Sequence, residues 1–406
     1  MATYHGKGNP VATQDVIDSA EPAKANWFYD PKIRGIIFQV VLIGLLALGI
    51  WWIIGNTIEN LQRSNIRTGF GFLRGRAGFD ISDTLIDYNS DSTYGRALLV
   101  GLLNTAMVAI CGIITATILG FLVGVARLSN NWLLRKLATV YVELFRNIPP
   151  LLVIFFLYLG VLALLPLPRD SYVLPFGSYL NSRGFYLPRF VWGDGSWLIA
   201  AGLLLGVVFS FFVARWARAR QAATGQQFPI FLTSLALIIG MPLLGFAAAG
   251  FPLTIDYPKE GTFNMTGGLN IKPEFLSLYL ALSIYTASFI AEIVRAGIMG
   301  VPRGQTEAFS ALGLRQGQGL RLVVIPQALR IIIPPLTSQF LNLTKNSSLA
   351  VAIGYPDLYA IGGTILNQTG QAIEIVAIFG VIYLSLSLIT SLFMNWFNAK
   401  MALKER

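Results

Sequence analysis

The stretch "EAFSALGLRQGQGLRLVVIPQALRIIIPPL", residues 307–336, interrupts a chain in which 54% of residues are hydrophobic. It holds two short amphipathic halves, separated by glycines and closed by prolines, with Arg315, Arg321 and Arg330 spaced through them. Pro302 suits the first turn of a helix, Glu307 sits near that helix's positive N-terminal end, and Gly313 can take the left-handed backbone that ends it. The spacing predicts a first helix over 302–312 and a second from Gln316 until Pro326 interrupts it. In the first, small Ala308 and Ala311 stand beside large Phe309 and Leu312, a surface suited to lying in another protein's groove. An amphipathic hairpin resting on a membrane surface fits the same residues.

Composition sets the class around this hairpin. With 12% charged residues, 40 glycines and a mean hydropathy of +0.62, the 406-residue chain is too apolar for an ordinary soluble domain and reads as an all-α polytopic membrane protein. The net charge of +10 does not point to nucleic acid, because the basic residues sit at the ends of apolar runs and form no single patch. Runs long enough to span a bilayer occur near 36–56, 98–126, 147–166, 197–214, 229–250, 274–296, 334–353 and 374–397, so about eight transmembrane helices are expected. The first run lacks a small-x-small cleavage site and reads as an uncleaved anchor. If both termini are cytoplasmic, about two thirds of the lysines and arginines fall on the inner side, as the positive-inside bias requires. The glycine pairs in "GFLVG" (120–124) and "GLLLG" (202–206) have helix-packing spacing, within the chain or at a subunit interface.

Several chemistries are excluded. Cys111 is the single cysteine and His5, in the N-terminal tail, the single histidine, so an intrachain disulfide, a Cys/His zinc site and a serine–histidine pair are all absent. No catalytic or metal-binding residues are assigned. Charged residues inside spans need a reason. Glu292 and Arg295, three apart at one end of a span, are expected to pair structurally, and Glu143 with Arg146 invites the same reading. Lys345, with Asn342, Thr344 and Asn346, either caps a broken helix or faces a pathway.

The order Glu307, Ala308, Gly313, then apolar Val323 and the "IP" of Ile325 and Pro326, resembles the EAA loop of ABC importer permease subunits. Phe309 departs from that loop's third alanine. The segments "TAMVAICGIITATILGFLVGVARLSNNWLLRKLATVYVELFRNIPPLLVIFFLYLG" (105–160), "IYTASFIAEIVRAGIMGVPRGQTEAFSALGL" (284–314) and "NLTKNSSLAVAIGYPDL" (342–358) are similar to the polar-amino-acid branch of that family. The enlarged, eight-span layout resembles the general L-amino-acid, or glutamate/glutamine/aspartate/asparagine, permease type of Gram-negative bacteria.

The resemblance implies a type I ABC importer permease fold in the bacterial inner membrane. Its parts would be a cytoplasmic tail (1–35), an extra anchor helix with a periplasmic loop (36–95), a first core part (96–166), an insertion of periplasmic loops and two extra helices (167–273), and a second core part (274–406) with its coupling loop at 297–330. It implies partners: two ATPase subunits, a second permease subunit of different sequence, and a periplasmic amino-acid-binding protein. ATP and Mg would be bound by the ATPases, since this chain has no G-x-x-x-x-G-K-[ST] sequence and needs no cofactor of its own. Glu307, Ala308, Gly313, Arg315 and Pro326 are then the coupling residues. An amino-acid substrate brings a carboxylate and an ammonium, which Tyr285, Thr286, Ser288, Asn342 and Lys345 would meet along the pathway. The competing classes are a secondary carrier or channel, an ABC permease for another small substrate, and an intramembrane enzyme. The carrier leaves the hairpin without a role, and the enzyme would rest on isolated carboxylates such as Glu292 and Glu374.

Overall fold

A computed structural model describes residues 31–63, 69–261 and 264–401. The expected tail up to residue 30, with His5, lies outside the described residues, as do Lys404 and Arg406. The chain divides into two compact units, one up to Thr68 and one from Gly69 onward. The first contains helix α1 (Pro31–Arg63), whose Ile36, Phe38, Leu42, Trp51 and Trp52 are all exposed. An apolar helix of that length with no buried face is a span whose solvent is lipid.

The second unit begins with residues 69–93, expected as part of a loop beside the anchor, but Phe72, Leu73 and Ala77 pack against helix α2 (Tyr94–Ala126). Thr93 caps α2 by accepting the Arg96 N–H at 3.2 Å. Then come α3 (Trp132–Arg146), capped by Asn131, and α4 (Pro150–Phe155), which continues through a wide turn to Val161 and a tight one to Leu164. The third span, expected over 147–166, contains the helix from Pro150 to Leu164, and the chain bends by 110° between α3 and that helix, because Pro149 and Pro150 cannot donate to the α3 ladder.

The insertion carries antiparallel strands β1 (Tyr172–Leu174), β2 (Ser178–Asn181), β3 (Gly184–Leu187) and β4 (Arg189–Trp192), and helices α5 (Trp197–Thr224) and α6 (Ile230–Ala248). Strands β5 (Leu253–Asp256), β6 (Lys259–Glu260), β7 (Met265–Thr266) and β8 (Leu269–Ile271) return the chain. The main sheet has the order β1-β2-β3-β8, with Phe185 opposite Ile271. Helices α5 and α6 pack chiefly on each other, and Gly202 and Gly206 let α5 approach the Met241 and Leu237 carbonyls.

Helix α7 (Pro273–Met299) then runs from the sheet end of the bundle to the hairpin, α8 (Arg303–Ala311) and α9 (Gln316–Gly319). Helices α10 (Ile325–Asn346), α11 (Leu358–Thr369) and α12 (Ala372–Met401) complete the bundle. Among the described residues seven helical segments are long and apolar enough to cross a membrane, eight when the bent α3–α4 pair counts as one.

The core lies where α2, α7 and α10 meet, around fully buried Leu278, Leu282, Ile290, Ile332, Ile333 and Leu343. Lipid is as apolar as leucine, so close contact replaces hydrophobic burial as the cohesive force. Gly120 and Gly124 form that seam within the chain: a Cβ on Gly120 would sit 2.5 Å from Ile290, and one on Gly124 2.7 Å from the Ala291 carbonyl oxygen.

The expectation that Pro326 interrupts the second hairpin helix is corrected. A wide turn over Leu320–Val324, in which the Ile325 N–H reaches the Leu320 carbonyl, opens the ladder before the proline. Pro326 then falls in the first turn of α10, where its missing N–H is harmless, and helix runs from Gln316 through Asn346.

Candidate functional site

At one end of the bundle the hairpin folds as two short helices, α8 and α9. Gly313 has φ +70°, the left-handed turn that ends α8. Phe309, expected on the partner-facing surface, is instead 3% exposed, its ring against Gly319, where a Cβ would lie 2.3 Å from it. The residue that departs from the EAA pattern thus fastens α8 to α9. Gln327 Nε2 donates to Gln305 Oε1 at 3.1 Å, a second clasp between the two arms. Glu307, Ala308, Ala311, Leu312 and Arg315 remain exposed, and Leu312 is 79% so. Gly297 seats the end of α7 directly on Ile332 of α10, tying the hairpin's two stems together.

Just above this seat lies an ion-pair network. Glu292 accepts from Arg295 Nη2 at 2.5 Å and from Arg295 Nε at 3.2 Å, the pairing expected from the sequence. It also accepts from Arg127, which caps the end of α2, and lies 4.0 Å from Arg146 of α3. The expected Glu143–Arg146 pair is not the one formed, because α3 turns Glu143 toward Arg127 at 3.8 Å. Three arginines from three helices therefore converge on one carboxylate. Arg127 was missed because its sequence signal was only that of a charge after an apolar run.

Of the five expected pathway residues, Thr286 and Ser288 are buried, and the Ser288 hydroxyl donates to the Tyr285 carbonyl at 2.7 Å. Neither reaches an open surface: Thr286 is 3% exposed and Ser288 0%. Tyr285 is half-buried beside Phe289. Asn342 and Lys345 are exposed, and with Ser338 they take positions i, i+4 and i+7, one face of α10. Leu343 packs on Gly112, midway along α2, which places this polar face within the depth of the bundle. The Lys345 ammonium forms no ion pair among the described residues.

A second polar cluster, at the sheet end, was not foreseen. The Thr105 hydroxyl accepts the Leu358 N–H at 3.0 Å, Tyr355 donates to the Asn104 carbonyl at 3.3 Å, and Asp357 caps α11 by accepting the Ala360 N–H at 2.9 Å. Asp357 is fully buried, and burial pushes its carboxyl up to about 6. The signal was present as Asn104 and Thr105 inside an apolar run, where polar residues need partners.

A helical bundle that exposes a polar, cationic face on one of its spans and joins that span to a protruding hairpin is a membrane transport subunit. Residues 222–403 match the family described as "Binding-protein-dependent transport system inner membrane component". The chain is 62% identical over 399 residues to the general L-amino acid transport system permease protein AapQ of Rhizobium johnstonii, covering 97% of this chain and 100% of that one. It is 48% identical over 380 residues to the putative amino-acid ABC transporter permease protein YhdX of Escherichia coli (93% and 97% covered). Against the glutamate/glutamine/aspartate/asparagine transport system permease protein BztB of Rhodobacter capsulatus it is 42% identical over 426 residues (96% and 99% covered). The chain belongs to this family of ABC importer permeases, multi-pass components of the inner membrane.

Proposed function

We propose that this chain is the permease subunit of an ATP-driven, binding-protein-dependent importer of polar L-amino acids, with acidic residues and their amides as the preferred class. The substrate class is supported by what the relatives' names state of those proteins. The observation that carries the reading is the continuous helix from the hairpin to the polar face of α10. From Gln316 to Asn346 it measures roughly 45 Å at 1.5 Å per residue, so a small rotation of the hairpin displaces Asn342 and Lys345 at its far end.

In this reading the hairpin is cytoplasmic, both termini are cytoplasmic and the sheet end is periplasmic. Two ATPase subunits, which bind ATP and Mg, dock on the exposed hairpin residues Glu307, Ala308 and Arg315. Gly313 and Pro326 shape the loop, and Phe309 holds its arms rigid. A second permease subunit covers the polar face of α10, because lipid would leave the Lys345 ammonium and the Asn342 amide without partners. Closure of the ATPases then biases the bundle between inward-open and outward-open states. Lys345 meets the substrate carboxylate, while Asn342 and the Tyr285 hydroxyl offer neutral polar contacts.

The test is uptake by proteoliposomes containing the whole complex, with ATP inside and binding protein outside. Labelled glutamate or glutamine should accumulate only when both are present. Accumulation that persists without ATP and follows an ion gradient would overturn the importer reading, and ATP-driven uptake confined to sugars, peptides or metals would overturn the amino-acid class.

A further inference from the structure

The sheet end of the bundle holds a cavity of about 210 Å³ between the segment of residues 83–85, α2, the end of β8 and the start of α7. Its volume is roughly seven waters at about 30 Å³ each, the scale of one small solute. Two opposite charges stand at its edge: Asp83 Oδ1 lies 3.2 Å from Lys272 Nζ. Neither group is saturated. Asp83 Oδ2 is buried and has no hydrogen-bond partner among the described residues, and buried carboxylate oxygens in that condition mark a strained site or a missing ligand. Burial pushes the Asp83 carboxyl up, against the pull of Lys272, as expected of a group short of partners. Lys272 directs one N–H to the Ser82 carbonyl and one to Asp83, leaving a third. Asn104, 2% exposed, commits both amide hydrogens to the Asp83 and Pro356 carbonyls at 2.9 Å each, which leaves Oδ1 as an acceptor. The remaining wall is apolar, formed by Leu85, Met107 and Phe275.

We infer that this cavity is a binding site for a free zwitterionic α-amino acid, separate from the polar face of α10. The Asp83 carboxylate, 25% exposed at the edge and with its second oxygen unpartnered, suits an ammonium, the third Lys272 N–H suits a carboxylate, and the apolar wall takes the side chain. A plain structural ion pair needs neither the cavity nor a second, buried carboxylate oxygen left open. The ligand class rests on the amino-acid reading above. The position, at the end of the bundle opposite the hairpin, makes the cavity a receiving site for substrate before it enters the pathway.

The test is calorimetric titration of the purified whole complex in lipid nanodiscs, without binding protein, using L-glutamine and L-glutamate as probes. Saturable binding is expected. It should be lost with N-acetylglutamine, which lacks the ammonium, and with 4-aminobutanamide, which lacks the carboxylate. Asp83→Asn and Lys272→Gln should each weaken L-glutamine binding about tenfold or more. Those variants break an ion pair and can fail to fold, so Leu85→Trp, which fills the cavity and leaves the pair intact, should abolish binding while melting like the parent complex. No binding by the parent complex, equal binding of N-acetylglutamine, or unchanged binding in a folded Leu85→Trp variant would each overturn the site. Amino-acid uptake in the proteoliposome assay without such binding removes only the cavity. Absence of that uptake removes the reading it rests on.

Discussion

Replacing Glu292 by glutamine tests the network that holds α2, α3 and α7 together above the hairpin. The carboxylate accepts from Arg295 and Arg127 and lies within 4.0 Å of Arg146. Arg127 is 10% exposed and Glu292 24%, so water compensates little when the charge is removed. Three arginines against two glutamates become three against one, leaving Glu143, 3.8 Å from Arg127, as the remaining anion. Removing one partner of such a buried pair costs about 3 kcal/mol, the lower end of the usual range because Arg295 keeps some contact with solvent. For a chain of this size that corresponds to a fall of about 6 °C in the melting temperature, at about 2 °C per kcal/mol. Tryptophan fluorescence of the purified complex reports it, with Glu59→Gln in α1, whose pair with Arg63 is exposed on both sides, as the unshifted control. Adding Arg127→Gln should recover part of the loss, with a coupling energy of about 2 kcal/mol. A Glu292→Gln complex melting within about 1 °C of the parent, or a double variant losing the full sum of the singles, would refute the network's cohesive role.

Gly313→Val forces a β-branched residue to φ +70° with nothing nearby to clash, so it should cost about 1–2 kcal/mol in strain and misdirect α9. Normal membrane insertion with reduced ATPase association is expected, and pull-down at parental yield would count against the hairpin as the coupling element. Gly124→Ala should destabilise the bundle by about 1–3 kcal/mol, whereas Gly44→Ala, with open space around it, should be neutral or slightly stabilising; equal melting temperatures would contradict the α2–α7 seam. Asp357, beyond the span that closes at Ile353, has its carboxyl raised by burial from an ordinary 3.8 to about 6. A raised carboxyl contributes its full stabilisation below about pH 3.8 and loses it as pH rises through about 6, a difference of about 3 kcal/mol. Asp357→Asn keeps the α11 cap and should flatten that decline between about pH 4 and 6; parallel melting profiles for parent and variant would exclude the assignment.

The sequence by itself determined the number and place of the spans, the two-part hairpin and the left-handed turn at Gly313, because each rests on local quantities: run length, backbone freedom and the spacing of small residues. The glycine pairs were legible for the same reason. What tertiary structure decided was direction and partnership. Phe309 reads as a surface residue until α9 supplies Gly319 as its seat, and Thr286 and Ser288 read as pathway residues until packing in the bundle buries both. The ladder break at Pro326 was overridden by a wide turn that no propensity at those positions announces. Glu143 lies three residues before Arg146, yet its carboxylate comes within 3.8 Å of Arg127, because α3 packs beside the end of α2 that Arg127 caps. Asp83 and Lys272 lie far apart in the chain and meet because β8 delivers Lys272 to the start of α7 beside the segment before α2. Periodicity shows which face of a helix differs from the rest, and only packing shows what that face meets.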